Sequence, residues 1–163
     1  LLIVQCSSIA IFFLIRTDPR ASSRNPYDIV TALMGTFAPL LFVPSFRYGL
    51  SGLAGVLIQT AGVVLTLSSS VSLSRSWGVV PANRGIKTDG MYRFVRHPIY
   101  ASYQVFNLGF IVSNFSFYNL VVALAALTCQ ILRIRNEERF LSNDPDYFIY
   151  SAQVRWRMIP FIY

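Results

Sequence analysis

Arg96-His97-Pro98-Ile99-Tyr100 stands where a basic, glycine-punctuated segment gives way to an apolar run that continues to Val112. Pro98 suits the first turn of a helix, where its missing N–H is no loss, so the stretch predicts a helix starting there with His97 near its cap. His97 is the single histidine of the chain. Outward from this point lie four more apolar runs: Leu1 to Ile15, Ile29 to Val43, Leu50 to Leu73, and Phe117 to Leu132. Five runs predict five helices. Several are shorter than the roughly 20 residues of a full membrane span. Polar flanks, tilt and local thinning of the bilayer can absorb that mismatch.

Composition points the same way. Of 163 residues, 54% are hydrophobic and 13% charged, and the mean hydropathy is +0.51. A water-soluble core of this length has no use for so many long apolar segments. The fold class expected is all-α, an integral membrane protein of about five transmembrane helices in a single domain, 1–163. Gly35 and Pro39 predict a kink in the second run, which neighbouring helices tolerate in a membrane. Gly52, Gly55 and Gly62, followed by Ser68 to Ser70, offer a small-residue face for close helix packing. Ser113-Asn114-Phe115-Ser116 is short enough to fold the last two runs into an antiparallel hairpin. Cys6 and Cys129 sit in apolar runs without polar company, so neither a disulfide framework nor a cysteine metal site is expected. No basic n-region or small-residue cleavage pattern indicates a cleavable signal peptide.

Positive loops stay on the cytoplasmic side. With five alternating helices, every one of the 14 Lys and Arg residues except Arg47 falls on a single side. Arg16, Arg20 and Arg24 lie in the first loop, Arg75, Arg84, Lys87, Arg93 and Arg96 in the third, and the rest in the tail. The N-terminus is therefore expected outside and the C-terminus in the cytoplasm. This asymmetry accounts for the net charge of +7 without a nucleic-acid partner, and anionic lipid headgroups are the simplest counterpart.

Two polar clusters share that side: the Arg96 to Tyr100 stretch, and Arg133 with Glu137 and Glu138. Charge at the end of an apolar segment is costly unless it serves a purpose. Arg133 and Glu137 read either as an i,i+4 surface pair or as part of a site. Arg preceding Glu is the weaker order for helix support, which favours a site. Arg135 and Arg139 read as headgroup-facing charges. Tyr147, Tyr150 and Trp156 read equally as an interfacial belt or as pocket walls.

The stretch from Gly85 through Gly90-Met91-Tyr92-Arg93-Phe94-Val95-Arg96-His97-Pro98 to Tyr100 resembles the signature of the isoprenylcysteine carboxyl methyltransferase and phospholipid methyltransferase superfamily of membrane enzymes. Arg133, Glu137-Glu138, Leu141, Tyr147, Tyr150 and Val154-Arg155-Trp156-Arg157 to Pro160 resemble that family's second block, in order and approximate spacing. Asp89-Gly90-Met91 and Asn143 to Asp146 depart from the pattern, both in loops. The resemblance covers roughly the second half of the chain. It implies 1–74 as packing helices and 75–163 as the cofactor and catalytic half, with a cytoplasmic pocket for S-adenosylmethionine. Methyl transfer to a lipophilic acceptor entering from the bilayer would follow, most simply to an isoprenylcysteine-type carboxylate or related lipid, with no metal.

Such a cofactor needs an acceptor for its amine, a site for its carboxylate, and aromatic walls. The resemblance assigns Tyr92, Val95, Arg96, His97, Tyr100, Glu137 and Glu138 to the cofactor, and Arg133 with Glu137 to catalysis. Arg133 would orient an acceptor carboxylate through its planar fork, with Glu137 fixing the guanidinium. An amine acceptor would instead require a base, a carboxylate or His97. Two other readings stand beside this one. A membrane sterol-type reductase would use NADPH and the basic loop from Arg75 to Arg96, and a noncatalytic scaffold or small transporter would bind no cofactor.

Overall fold

The computed structural model describes residues 1–19, 21–45 and 49–163. Arg20 and Arg47, and the side chain of Arg75, which entered the charge count above, lie outside what is described. Among the described residues there are six helices: α1 (Leu2–Ile15), α2 (Pro26–Phe37), α3 (Leu50–Leu73), α4 (Pro98–Ser113), α5 (Phe117–Leu141) and α6 (Pro145–Gln153). Each of the five apolar runs is helical. Two helices, α3 and α5, are long and apolar enough to cross a membrane, and α1 is a shorter apolar helix. At 1.5 Å per residue, a helix of 24 residues such as α3 spans roughly 36 Å, more than the hydrocarbon thickness of about 30 Å. Its outward face leaves Leu50, Leu53, Leu57 and Val71 exposed, an arrangement suited to lipid.

Three sequence expectations change. The second run forms no long kinked helix: α2 starts early, on an Asn25 cap whose side chain accepts from the Tyr27 N–H, and ends at Phe37. A 3-10 turn, Ala38–Leu41, follows at Pro39, whose ring cannot continue an α-helix ladder. α5 runs past Leu132 to Leu141, so its polar last turns extend a continuous helix. α6 follows as an additional short helix, with Asp144 capping the Asp146 N–H and Pro145 in its first turn.

The small-residue face of α3 packs on α4. A Cβ at Gly62 would lie 2.6 Å from the Phe106 backbone nitrogen, and one at Gly109 would lie 2.5 Å from that of Gln59. Only hydrogen at these positions lets the backbones approach so closely. Polar groups buried in the seam bond across it: Gln59 Nε2 donates to Ser113 Oγ at 3.2 Å, and Thr66 Oγ1 to Ser102 Oγ at 2.9 Å. α5 packs on α2, where Gln130 Nε2 donates to the Gly35 carbonyl at 2.7 Å.

The loops gather at two ends. At one end, β1 (Ala21–Ser22) in the first loop pairs antiparallel with β2 (Ala82–Asn83) in the third, matching Ala21 to Asn83. Arg84 Nε donates to the Thr17 carbonyl at 3.0 Å, and Asn83 bonds Asp144 at the cap of α6. At the other end, the Asn119 side chain accepts from the Val43 N–H at 3.0 Å and donates to the Val43 carbonyl at 2.8 Å. Asn114 Oδ1 accepts from the Ser45 N–H at 2.8 Å. The first and third loops and the tail thus meet at one end of the bundle, and the second and fourth connections at the other.

Candidate functional site

The two motif-bearing segments join at the first of these ends. Arg96 and His97 donate their backbone N–H groups to the carbonyls of Trp156 and Arg157, at 2.9 and 2.7 Å. The Tyr150 hydroxyl donates to the Tyr92 carbonyl at 2.7 Å. Behind this seam, Glu138 is a hub. Its Oε1 lies 3.2 Å from Arg96 Nη2 and 3.4 Å from His97 Nε2, and its Oε2 accepts from Arg157 Nε at 2.7 Å. Among the described residues, every ion pair ends on this carboxylate. Burial alone would lower the Arg157 pKa, but the Glu138 carboxylate in contact holds it above its ordinary value.

In front of the seam lies a cleft open to solvent. Tyr92, Tyr100, Tyr103, Tyr147 and Tyr150 line it, together with Trp77. Arg133 reaches it from α5 and is 3% exposed. Its Nη1 donates to Thr36 Oγ1 at 2.9 Å, and its Nη2 to the carbonyls of Gly78 and Val79 at 3.1 and 2.5 Å. Its guanidinium carbon sits 4.7 Å from the centre of the Tyr100 ring, within cation–π range. The Tyr100 hydroxyl in turn donates to Glu137 Oε2 at 2.7 Å. Arg96 Nε and Arg133 Nε are buried donors with no hydrogen-bond partner in the protein, a deficit an accepting ligand can relieve. Burial and the charge of Glu137 push the Tyr92 phenol well above its ordinary pKa, so it stays neutral.

Of the residues singled out from sequence, Tyr92, Arg96, His97, Tyr100, Arg133 and Glu137 all line the cleft. Val95 and Glu138 do not; Val95 is buried in the packing, and Glu138 spends both oxygens on cations. The expected clasp of Arg133 by Glu137 is absent. Neutral acceptors on α2 and the 77–79 turn hold the guanidinium, while Glu137 is taken by Tyr100. His97 makes no side-chain cap on α4; its ring stacks on Tyr100 at 5.5 Å and 11° and points its Nε2 at Glu138. Tyr147 and Tyr150 prove to be pocket walls, 6% and 4% exposed. Trp156 contacts Phe161 instead.

Sequence reading missed Thr36, Gly78, Val79, Arg84, Lys87 and Tyr103. Thr36 and the two carbonyls carry no sequence signal. Arg84 and Lys87 enter the sequence reading only as members of the basic loop, as positive loop charges and, in the reductase alternative, for NADPH. Arg84 lies flat over Gly78, where a Cβ would strike its guanidinium, so the Trp77-Gly78 pair was the one available clue.

A tyrosine-lined cleft with a buried guanidinium, at one end of a helical bundle that holds two helices long and apolar enough to cross a membrane, is a candidate small-molecule site. The family model described as phospholipid methyltransferase matches residues 50–152, from the start of α3 through most of α6. The chain belongs to the phospholipid methyltransferase family, within the superfamily of integral membrane methyltransferases. Membership makes it a methyltransferase, and together with the apolar helices α3 and α5 it places the protein in membranes, with lipid-type substrates. No curated protein matches the chain.

Proposed function

We propose that the cleft binds S-adenosylmethionine and that the protein transfers its methyl group to a lipophilic acceptor entering sideways from the bilayer. The observation that carries this reading is the convergence, in one tyrosine-walled cleft, of the two segments that resemble the methyltransferase signature. The residues present fit the group. Tyr92, Tyr100, Tyr147 and Tyr150 offer aromatic faces to a sulfonium or an adenine. Glu137 is the carboxylate on the wall able to accept from an ammonium or a ribose hydroxyl, and Arg96 Nε is an unspent donor. Glu138 serves by holding Arg96 and His97 in place. Val95 packs behind them.

When bound, the cofactor supplies an electrophilic methyl group for in-line displacement, and what remains for the protein is alignment. Arg133, rigidly held by Thr36 and the 78–79 carbonyls and keeping Nε free, orients an acceptor carboxylate. Residues 1–74 supply packing helices and 75–163 the cofactor half, with two trespasses, since Leu73 of α3 lines the cleft and Thr36 of α2 braces Arg133. Five crossings are part of the proposal, an alternation that fits the meeting of the first and third loops and the tail at one end; the N-terminus outside and the site cytoplasmic rest on the positive charge of those loops.

The test is calorimetric titration of the detergent-purified protein with S-adenosylmethionine and, separately, with NADPH, repeated on Glu138→Ala. Saturable binding of the methyl donor, weakened by the substitution, is expected. Binding of NADPH alone would move the protein to the reductases, and binding of neither would leave a noncatalytic scaffold.

A further inference from the structure

The charges around the cleft do not balance. Arg84, Lys87, Arg96 and Arg133 line it, together with one carboxylate, Glu137. Arg96 is matched by Glu138 behind the wall. Among the described residues, Arg84, Lys87 and Arg133 have no carboxylate within ion-pair distance, since every such pair ends on Glu138. Three cations therefore face one carboxylate. Uncompensated charge in a partly dry cleft is costly, and it draws anions.

Arg84 is also pre-positioned. Its Nε is tied to the Thr17 carbonyl at 3.0 Å, and its guanidinium rests over Gly78, whose missing side chain provides the room. Burial, then the charge of Arg16, lower its pKa, against smaller opposing effects of the Glu137 and Asp18 carboxylates. Lys87 stands exposed on the same rim. A tethered guanidinium and an exposed ammonium lining one cleft suit a phosphate, with its several acceptor oxygens.

We infer that Arg84 and Lys87 form an anion site for a phosphate-class group at the mouth of the cleft, and that filling it strengthens cofactor binding. This rests on the S-adenosylmethionine reading. That cofactor carries two cationic centres and one carboxylate, so it adds positive charge to a cleft already in excess. An anion at the rim removes the repulsion, and the two ligands favour each other reciprocally. The phosphate can belong to a lipid headgroup or be free in solution, and the experiment separates the two.

Protein in maltoside micelles and chloride buffer, at constant ionic strength, is titrated with S-adenosylmethionine alone, with inorganic phosphate, and with phosphatidate mixed into the micelles. Roughly tenfold tighter binding is expected when the rim is filled. Tightening by both additions means that free phosphate suffices, and tightening by phosphatidate alone assigns the site to a lipid headgroup. The double variant Arg84→Gln, Lys87→Gln should bind the cofactor more tightly than the parent in chloride alone and lose the response. A gain in affinity is not what misfolding produces. Indifference of the parent to both additions, or a response that survives in the variant, would overturn the inference. If the methyl donor binds under no condition, the cofactor reading fails and the site is judged on its own by ³¹P line widths of phosphate and phosphatidate. Broadening that the double variant abolishes supports the site, and its absence or persistence refutes it.

Discussion

Replacing Glu138 by Gln removes one charge and nothing else of size, and it should loosen the whole tail. The carboxylate now serves Arg96 at 3.2 Å, His97 at 3.4 Å and Arg157 at 2.7 Å. The Arg96 pair is nearly dry, its side chains 12% and 11% exposed, so losing a charge-assisted bond there costs about 1.5–3 kcal/mol. Arg157 is 39% exposed, and solvent screening limits its share to about 0.5–1 kcal/mol. A glutamine retains one acceptor oxygen and turns an NH2 donor toward a cation, so little is recovered. The total is roughly 2–4 kcal/mol, and at about 2–4 °C per kcal/mol for a chain of this size the melting temperature should fall by roughly 4–16 °C. Thermal unfolding in maltoside micelles reads this directly. Hydrogen exchange adds a local signature, because the Arg96 and His97 amides that donate to Trp156 and Arg157 should lose protection before the α3–α4 seam does. A melting temperature within 2 °C of the parent, with protection at Arg96 and His97 unchanged, would refute the view that this one carboxylate fastens the tail to the cleft.

Other consequences follow from the same contacts. Arg133→Ala should leave S-adenosylmethionine affinity within a fewfold of the parent by calorimetry while abolishing turnover, because the guanidinium is assigned to the acceptor; joint loss of both would place it in the cofactor site. Gly62→Val forces a side chain into the Phe106 backbone and should cost about 1–3 kcal/mol by overpacking, whereas Gly52→Ala, at a half-buried position of α3, should change the unfolding midpoint little. Burial raises the pKa of Tyr92, Tyr147 and Tyr150 above the ordinary 10.0. With folded values above unfolded ones, their contribution to stability is complete below about pH 10 and is lost as pH climbs toward the folded values. Ultraviolet titration should find these phenols still protonated in native protein at pH 11, and chemical unfolding should show stability falling from pH 10 upward.

Much of the architecture was legible because apolar runs are a strong, local signal. All five became helices, and the glycines of α3 marked the tightest seam. The boundaries were less legible. Pro39 stopped α2 where a kink was expected, since only packing decides whether neighbours repair a broken ladder. α6 was missed because its nine residues form no apolar run, and its inward face exists only once Tyr147 and Tyr150 meet Tyr92.

In the site, the residue types were readable and their partners were not. The sequence by itself determined an apolar helical chain, cations crowded at alternate loops, and two polar segments of methyltransferase character, because composition, periodicity and motif are written residue by residue. Only the tertiary structure decided that Glu138 gathers Arg96, His97 and Arg157 behind the wall, that Thr36 and two carbonyls hold Arg133 in place of Glu137, and that Arg84 and Lys87 line the cleft. These assignments join residues far apart in the chain, 97 positions in the case of Thr36 and Arg133. They depend on side-chain reach, on which carbonyls a turn leaves unpaired, and on which charges the packing brings within a few ångströms of one another.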